Sequence, residues 1–280
     1  MRLITEPRHL SEVSDVSRSS GKIVAMVPTM GALHVGHQSL FVRAKESSDV
    51  VIASIFVNKL QFNSAEDFEK YPHQLAADQT VLEQCGVDFL YAPSASAMYG
   101  PNFSTSIDVG GLADILEGAS RPGHFSGVAT VVAKLLSAGR PHLAIFGQKD
   151  FQQFAVINRL VSDLDLPIQL SMAPTVREPD GLAMSSRNVR LSPTARREST
   201  SIYRALERAK KLFEADVSET SVLIAAARDE ISLTSAEIDY VVVVDPSTLE
   251  PVVVAESGCV ILIAVNFEGV RLIDNLILGT

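Results

Sequence analysis

Cysteine is scarce in this chain, with only Cys85 and Cys259 in 280 residues. Two cysteines build neither a disulfide framework nor a metal cluster, and each sits in an apolar or helical stretch as a small core residue. Long apolar runs are missing as well. None approaches the ~18–20 residues of a bilayer-spanning helix, so a membrane protein of that kind is excluded. The opening residues, MRLITEPRHL, lack the apolar segment of a secretory leader, and a cytoplasmic location is expected. Positive charge is in deficit. A net charge of −9 argues against a nucleic-acid partner, whose docking surface would be basic. Any polyanionic ligand must therefore be held by a local cluster of cations against an unfavourable overall field. No internal repeat or low-complexity segment is visible.

What is present is the material of a globular enzyme. With 46% hydrophobic residues over 280 positions, the chain can build one large or two modest cores. Apolar runs at 23–27, 50–57, 87–91 and 141–146 read as strands, with a further strand at 167–172. Helical stretches at 9–19, 37–47, 72–84, 128–138 and 151–163 alternate with them. That alternation predicts an α/β fold: a Rossmann-like parallel sheet, helices on both faces, joined by right-handed crossovers. Residues 103–109 alternate in hydrophobicity and read as one more strand, and 116–125 as a loop. Past residue 175 the pattern changes. Helical stretches at 193–214 and 218–233 precede closely spaced apolar runs at 238–244, 252–255, 259–265 and 270–278, which predict antiparallel pairing. The expected organisation is a catalytic domain over residues 1–175 and a smaller C-terminal α+β domain over 176–280, the second acting as a mobile lid.

Four polar segments interrupt this scaffold. The first is residues 22–38, KIVAMVPTMGALHVGHQ, in which a strand gives way at Pro28, Thr29, Met30 and Gly31 to a helix opening with His34 and His37. A strand-to-helix turn is where an α/β fold offers backbone N–H groups and a helix dipole to an anion. Two histidines three apart share a helix face and are read as facing the phosphates of ATP. A surface or capping role is the plainer alternative, and zinc is disfavoured because the zincin spacing and its glutamate are lacking. The second segment, Asn58 to Gln61, and the third, Gly147 to Asp150, also follow strands. Lys149 sits where a helix dipole disfavours a cation by ~0.3–1 kcal/mol, which suggests a bound anion. The fourth, Met184-Ser185-Ser186-Arg187, offers hydroxyls and a guanidinium suited to a phosphate clamp, or else forms a plain linker.

Taken together these segments carry a family resemblance. H-x-G-H with a downstream M-S-S-R resembles the paired signature of the nucleotidyltransferase superfamily. VPTMGALHVGH, SIFVN with QF, LEGASRPGHFSGVATVVAKL, FGQKDFQQ and PTVREPDGLAMSSRN then resemble, in order, the motifs of the pantothenate synthetase (pantoate–β-alanine ligase) family. Lys59 departs from that pattern, standing where the family has proline, which frees φ and adds a backbone donor.

The resemblance implies ATP-dependent condensation of pantoate with β-alanine through a pantoyl-adenylate, releasing AMP and pyrophosphate. It implies His34, His37, Lys149, Ser185, Ser186 and Arg187 as catalytic groups. Pro28, Thr29, Met30, His37, Gly147, Lys149, Asp150, Val176, Met184 and the Ser185–Ser186–Arg187 run would bind ATP, with the Val176 and Met184 backbone at the adenine. Met30, Gln61 and Gln153 would bind pantoate, Arg121 a substrate carboxylate, and Asp78 the Mg²⁺ that accompanies ATP. A homodimer is implied as well. A superfamily member that stops at a stable nucleotidyl product and a silent ATP-binding protein are the competing readings.

Overall fold

The computed structural model describes residues 1–280 and resolves into two compact units. The first comprises Met1–Gly147 with Gln152–Ala173, and the second Gln148–Phe151 with Pro174–Thr280.

The first unit is built on a six-stranded, all-parallel sheet: β1 (Arg2–Ile4), β2 (Val24–Thr29), β3 (Val50–Ile55), β4 (Phe89–Tyr91), β5 (Leu143–Gly147) and β6 (Gln169–Ala173). The spatial order is β1-β4-β3-β2-β5-β6. β2 and β3 are apolar without alternation because both sheet faces are covered. Ala25, Val27, Val51, Ala53, Leu143 and Ile145 point to one face, with Leu40, Phe41 and Ala44 of helix Val35–Ser47 and Leu82 of helix Leu75–Gln84. The alternate residues, Val24, Met26, Ile52 and Ala144, are fully buried on the other face. There helix His124–Gly139 passes so close that a side chain on Gly139 would stand 2.8 Å from Met26 Sδ. Helix Pro7–Ser19 is tied to that helix by Ser11 Oγ donating to Ala138 O at 3.0 Å.

The second unit holds an antiparallel sheet, β7 (Glu237–Val244), β8 (Val260–Phe267) and β9 (Val270–Ile277), with β8 central. Helices Ser201–Glu214 and Thr220–Ile231 bury Ile202, Leu206, Leu223 and Ile231 with Ile261, Ile263, Val265 and Phe267 of β8.

Several expectations needed correction. No strand forms at 103–109, where Ile107 N–H donates to Thr130 Oγ1 at 3.0 Å instead of to a neighbouring strand. The 116–125 stretch contains the short helix Glu117–Ser120. The 193–214 stretch is two helices, Pro193–Glu198 and Ser201–Glu214. Residues 252–255 form no strand, only an isolated bridge from Val254 to Glu219. β1 was missed because three residues carry no periodic signal. No helix is long and apolar enough to cross a membrane.

Candidate active site

In the first unit the strand order reverses between β2 and β5, and such a switch point opens a crevice at the carboxyl ends of the strands. β2 ends there in the turn that carries the two histidines. Helix Val35–Ser47 begins two residues earlier than expected, which makes His34 its N-cap. His34 Nδ1 accepts from Gly36 N–H at 3.1 Å, and His37 Nδ1 accepts from His34 N–H at 3.3 Å. The pair is a capping box built from imidazoles instead of hydroxyl and carboxylate. The rings lie 4.1 Å apart between centroids. Because each Nδ1 accepts a backbone proton, each neutral ring carries its own proton on Nε2. The capping alternative and the functional reading therefore coexist: capping is what fixes the tautomer and aim of both donors.

The turn ahead of His34 is not an open anion cradle. Ala32 N–H donates to Asp78 Oδ2 at 3.0 Å and Leu33 N–H to Asp78 Oδ1 at 2.8 Å. Gly31 N–H donates to Thr29 Oγ1 at 3.2 Å. Gly31 has φ +84° and Ala32 φ +52°; the left-handed region costs an alanine on the order of 1–2 kcal/mol, which the two carboxylate bonds offset. Asp78, expected as a Mg²⁺ ligand, is the anchor of this turn. It is 1% exposed, with both oxygens engaged, whereas Mg²⁺ keeps several waters and takes carboxylates that reach it. No group of three or more His, Cys, Asp or Glu side chains is arranged to hold a metal ion. The residues present do not fit a resident metal.

β3 leads into the second segment. Asn58, 1% exposed, donates from Nδ2 to Gln61 Oε1 at 3.1 Å and to Gly127 O at 3.0 Å, and its Oδ1 accepts from Tyr99 Oη at 2.8 Å. This orients the Gln61 amide. Its oxygen is taken by Asn58, and its NH₂ group points to Met30 Sδ at 3.1 Å. Gln61 is therefore a donor toward Met30, the correct polarity for a carboxylate or hydroxyl oxygen. Gly127 permits this arrangement, since a side chain there would meet Leu60 O at 2.4 Å. Burial pushes the Tyr99 hydroxyl up to about 12, so it stays a proton donor.

Arg121 stands behind the same loop, donating to His124 Nε2 at 3.2 Å and to Gln61 O at 3.4 Å. Gln153 is half-buried on helix Phe151–Asp163. Its neighbour Gln152 is structural, bonding Glu117 N–H, Leu112 O and Ile115 O. Lys59 begins a short 3₁₀ turn, and Asn58 Oδ1 caps that turn through Leu60 N–H at 3.3 Å.

In the second unit, Asn275 of β9 pins the Gln148–Asp150 turn, donating from Nδ2 to Gln148 O at 2.9 Å and Lys149 O at 3.0 Å. Lys149 Nζ lies 3.2 Å from Asp150 Oδ1, so the cation at this helix start has a carboxylate beside it. Lys149, Ser185, Arg187, Asn188 and Asp274 line one recess. Ser185 Oγ accepts from Arg187 N–H at 3.2 Å, Ser186 is half-buried, and Arg187 is exposed. Met184 N–H donates to Val176 O at 2.9 Å, which ties the two backbone segments expected at the adenine to each other.

In the wall of the recess, Asp274 pairs with Arg177 through bonds of 2.5 and 3.1 Å. Burial pushes its carboxyl up, and Arg177 opposes that shift. Asp274, Asn275, Arg177, Asn188 and Tyr99 were not singled out from the sequence. A polar Asp-Asn pair inside the apolar strand Val270–Ile277 was the available signal for the first two; Tyr99 had none.

Comparison with known proteins adds a second line of observation. The sequence profile described as Pantoate-beta-alanine ligase matches residues 2–277. The pantothenate synthetase of Heliobacterium modesticaldum is 47% identical over 278 residues, 99% of each chain. The crystal structure of pantothenate synthetase from Thermus thermophilus aligns with a TM-score of 0.92 at 41% identity, covering 99% of each chain. The pantoate-beta-alanine ligase of Francisella tularensis, complexed with beta-gamma ATP and beta-alanine, aligns with a TM-score of 0.82 at 36% identity, covering 100% of this chain and 98% of the other.

Proposed function

The chain belongs to the pantoate-beta-alanine ligase family, and from that premise we propose how its residues divide the work. The enzyme condenses pantoate with β-alanine at the expense of ATP. A carboxylate is a poor acyl donor, because its leaving group would be an oxide. In the first step a pantoate carboxylate oxygen attacks the α-phosphorus, a new P–O bond forms, and pyrophosphate departs. In the second the β-alanine amine attacks the acyl carbonyl, a C–N bond forms, a proton is lost from nitrogen, and AMP leaves with the bridging oxygen. Positioning and charge stabilisation are the protein's share of the first step.

His34 and His37 give their Nε2–H donors to the phosphates. Lys149, Ser185, Ser186 and Arg187 supply positive charge and hydroxyls to the same phosphates. Pro28, Thr29, Met30, Gly147, Asp150 and the Val176–Met184 hairpin bind the rest of ATP, and Mg²⁺ arrives as part of the Mg·ATP substrate. Met30, Gln61 and Gln153 hold pantoate, with Gln61 donating to an oxygen. No residue is assigned as base for the incoming amine. A homodimer in the cytoplasm completes the reading, on the strength of the family resemblance.

The observation that carries this assignment is the capping box of His34 and His37. It commits both Nδ1 atoms to the backbone and so places the proton of each neutral ring on Nε2. The test is nucleotide product analysis with ATP, Mg²⁺ and pantoate, with and without β-alanine. AMP release that requires both pantoate and β-alanine, with pyrophosphate and pantothenate as co-products, is the expected outcome. ADP would mean an acyl-phosphate route and would overturn the reading.

A further inference from the structure

We propose that Asp78 is a positioning residue for the two histidines and not a ligand for magnesium. The inference rests on the assignment of His34 and His37 to the reaction. Asp78 belongs to helix Leu75–Gln84 and lies 46 positions from Ala32 and 45 from Leu33, the two residues it holds. Its carboxylate takes the two consecutive N–H groups, of Ala32 and Leu33, that immediately precede His34. Gln74 Nε2 lies 3.4 Å from Oδ1 on the helix side. Gly31 wraps so tightly over the carboxylate that a Cβ at that position would sit 2.8 Å from Oδ2. The acid thus forms the interior of the turn. Its bonds hold Ala32 in the left-handed region and deliver His34 to the N-cap with φ −133° and ψ 176°. From that position follow the bonds His34 Nδ1 to Gly36 N–H and His37 Nδ1 to His34 N–H, and with them the tautomer of both rings.

Asp78→Asn preserves the shape of the side chain but turns one acceptor into a donor that faces a backbone N–H. One of the two turn bonds is then lost, Ala32 relaxes, and the imidazole cap loosens. A metal ligand would behave differently, since its loss raises the metal requirement and leaves the turn intact.

The experiment compares wild type, Asp78→Asn, Gly31→Ala and Leu82→Ala. The readouts are pantoate-dependent pyrophosphate release over a Mg²⁺ titration and ¹⁵N spectra of the histidine rings. Asp78→Asn is expected to lower kcat about 10–100-fold through misplacement of the donors. KM and the Mg²⁺ half-saturation should stay near wild type, the pattern of an interaction that acts in the transition state. The His34 and His37 signals should move from the Nε2–H tautomer toward the exchange average. Gly31→Ala, which keeps the acid but presses on it, should reproduce both changes even if Asp78→Asn does not fold. Leu82→Ala empties a fully buried position one turn along the same helix; it should lower Tm while keeping kcat and the ring spectra.

A raised Mg²⁺ requirement with wild-type kcat at saturation would make Asp78 a metal ligand. An equal kcat loss in Leu82→Ala would reduce the effect to fold stability. Either result overturns the proposal. If wild type forms no AMP from ATP, pantoate and β-alanine together, the ligase assignment fails, yet the ring spectra still decide whether Asp78 sets the histidine geometry.

Discussion

The turn that carries His34 and His37 folds its polar groups inward, whereas the loop that carries Ser185, Ser186 and Arg187 leaves its cation outward. In the first, a buried carboxylate, two backbone N–H groups and two imidazole caps form one hydrogen-bonded unit. In the second, the loop is tied from outside: Asn188 Nδ2 donates to Glu178 Oε1 at 2.8 Å and Ala183 O at 3.1 Å, and Arg196 bridges Glu178 and Asp180. Neutral imidazole donors act through direction, so they need a fixed backbone. Guanidinium and ammonium groups act through charge at the end of long side chains and tolerate a looser mounting. The first region should therefore be sensitive to geometry and the second to charge.

The largest effect should come from removing charge. Lys149→Ala is expected to cut pantoate-dependent pyrophosphate release ~10²–10³-fold with little change in Tm, whereas Lys149→Arg keeps the charge and should stay within about tenfold of wild type. His37→Gln retains an N–H donor but cannot reproduce the imidazole cap, and should lose ~10²-fold. If His37→Gln were as well tolerated as Lys149→Arg, the contrast between geometry and charge would be broken.

A smaller and mainly structural effect is expected from Asn58→Ala. It strands Tyr99 Oη and the Gln61 amide in a buried setting, at a cost of about 1–3 kcal/mol in denaturant unfolding. It also frees the Gln61 amide to rotate, so KM for pantoate should rise more than kcat falls.

The smallest effect should come from Arg196→Ala. Its ion pairs are partly exposed, and after solvent screening they contribute on the order of 1 kcal/mol or less. The hydrogen bond from Arg196 is the main cause of the lowered Asp180 pKa. A lowered folded-state value stabilises the protein above the unfolded aspartate value of about 3.9, and the benefit is lost as pH falls through the folded value. Wild type and Arg196→Ala should therefore differ in Tm at neutral pH and converge in acid. A gap that persisted in acid would show that packing of the Arg196 stem, not its charge, holds the loop.

Much of the fold was legible because its signals are local. The unbroken apolar runs of β2, β3 and β5 follow from burial on both faces, and the strand-helix alternation follows from parallel pairing. The short strand Arg2–Ile4 was illegible because three residues have no period, and 103–109 misled because its alternation is met by a side chain on a distant helix. The candidate site was legible where the proposed roles fall on residues with a local structural signal, as at His34, His37, Lys149 and Arg187. Its supports were not. Asp78 reads as an ordinary helix acid, Tyr99 as one more aromatic, and Asn275 as an interruption in a strand. Each acquires meaning only through a partner 40 or more positions away.

The central claim is that an acyl-adenylate links the two half-reactions, and it can be followed by a single atom. Pantoate labelled with ¹⁸O in its carboxylate is turned over with ATP and β-alanine, and the products are weighed by mass spectrometry. The account predicts one ¹⁸O in AMP, carried over by the bridging oxygen when the amine displaces it, and none in pyrophosphate. Label in inorganic phosphate with ADP as co-product, or unlabelled AMP, would contradict it.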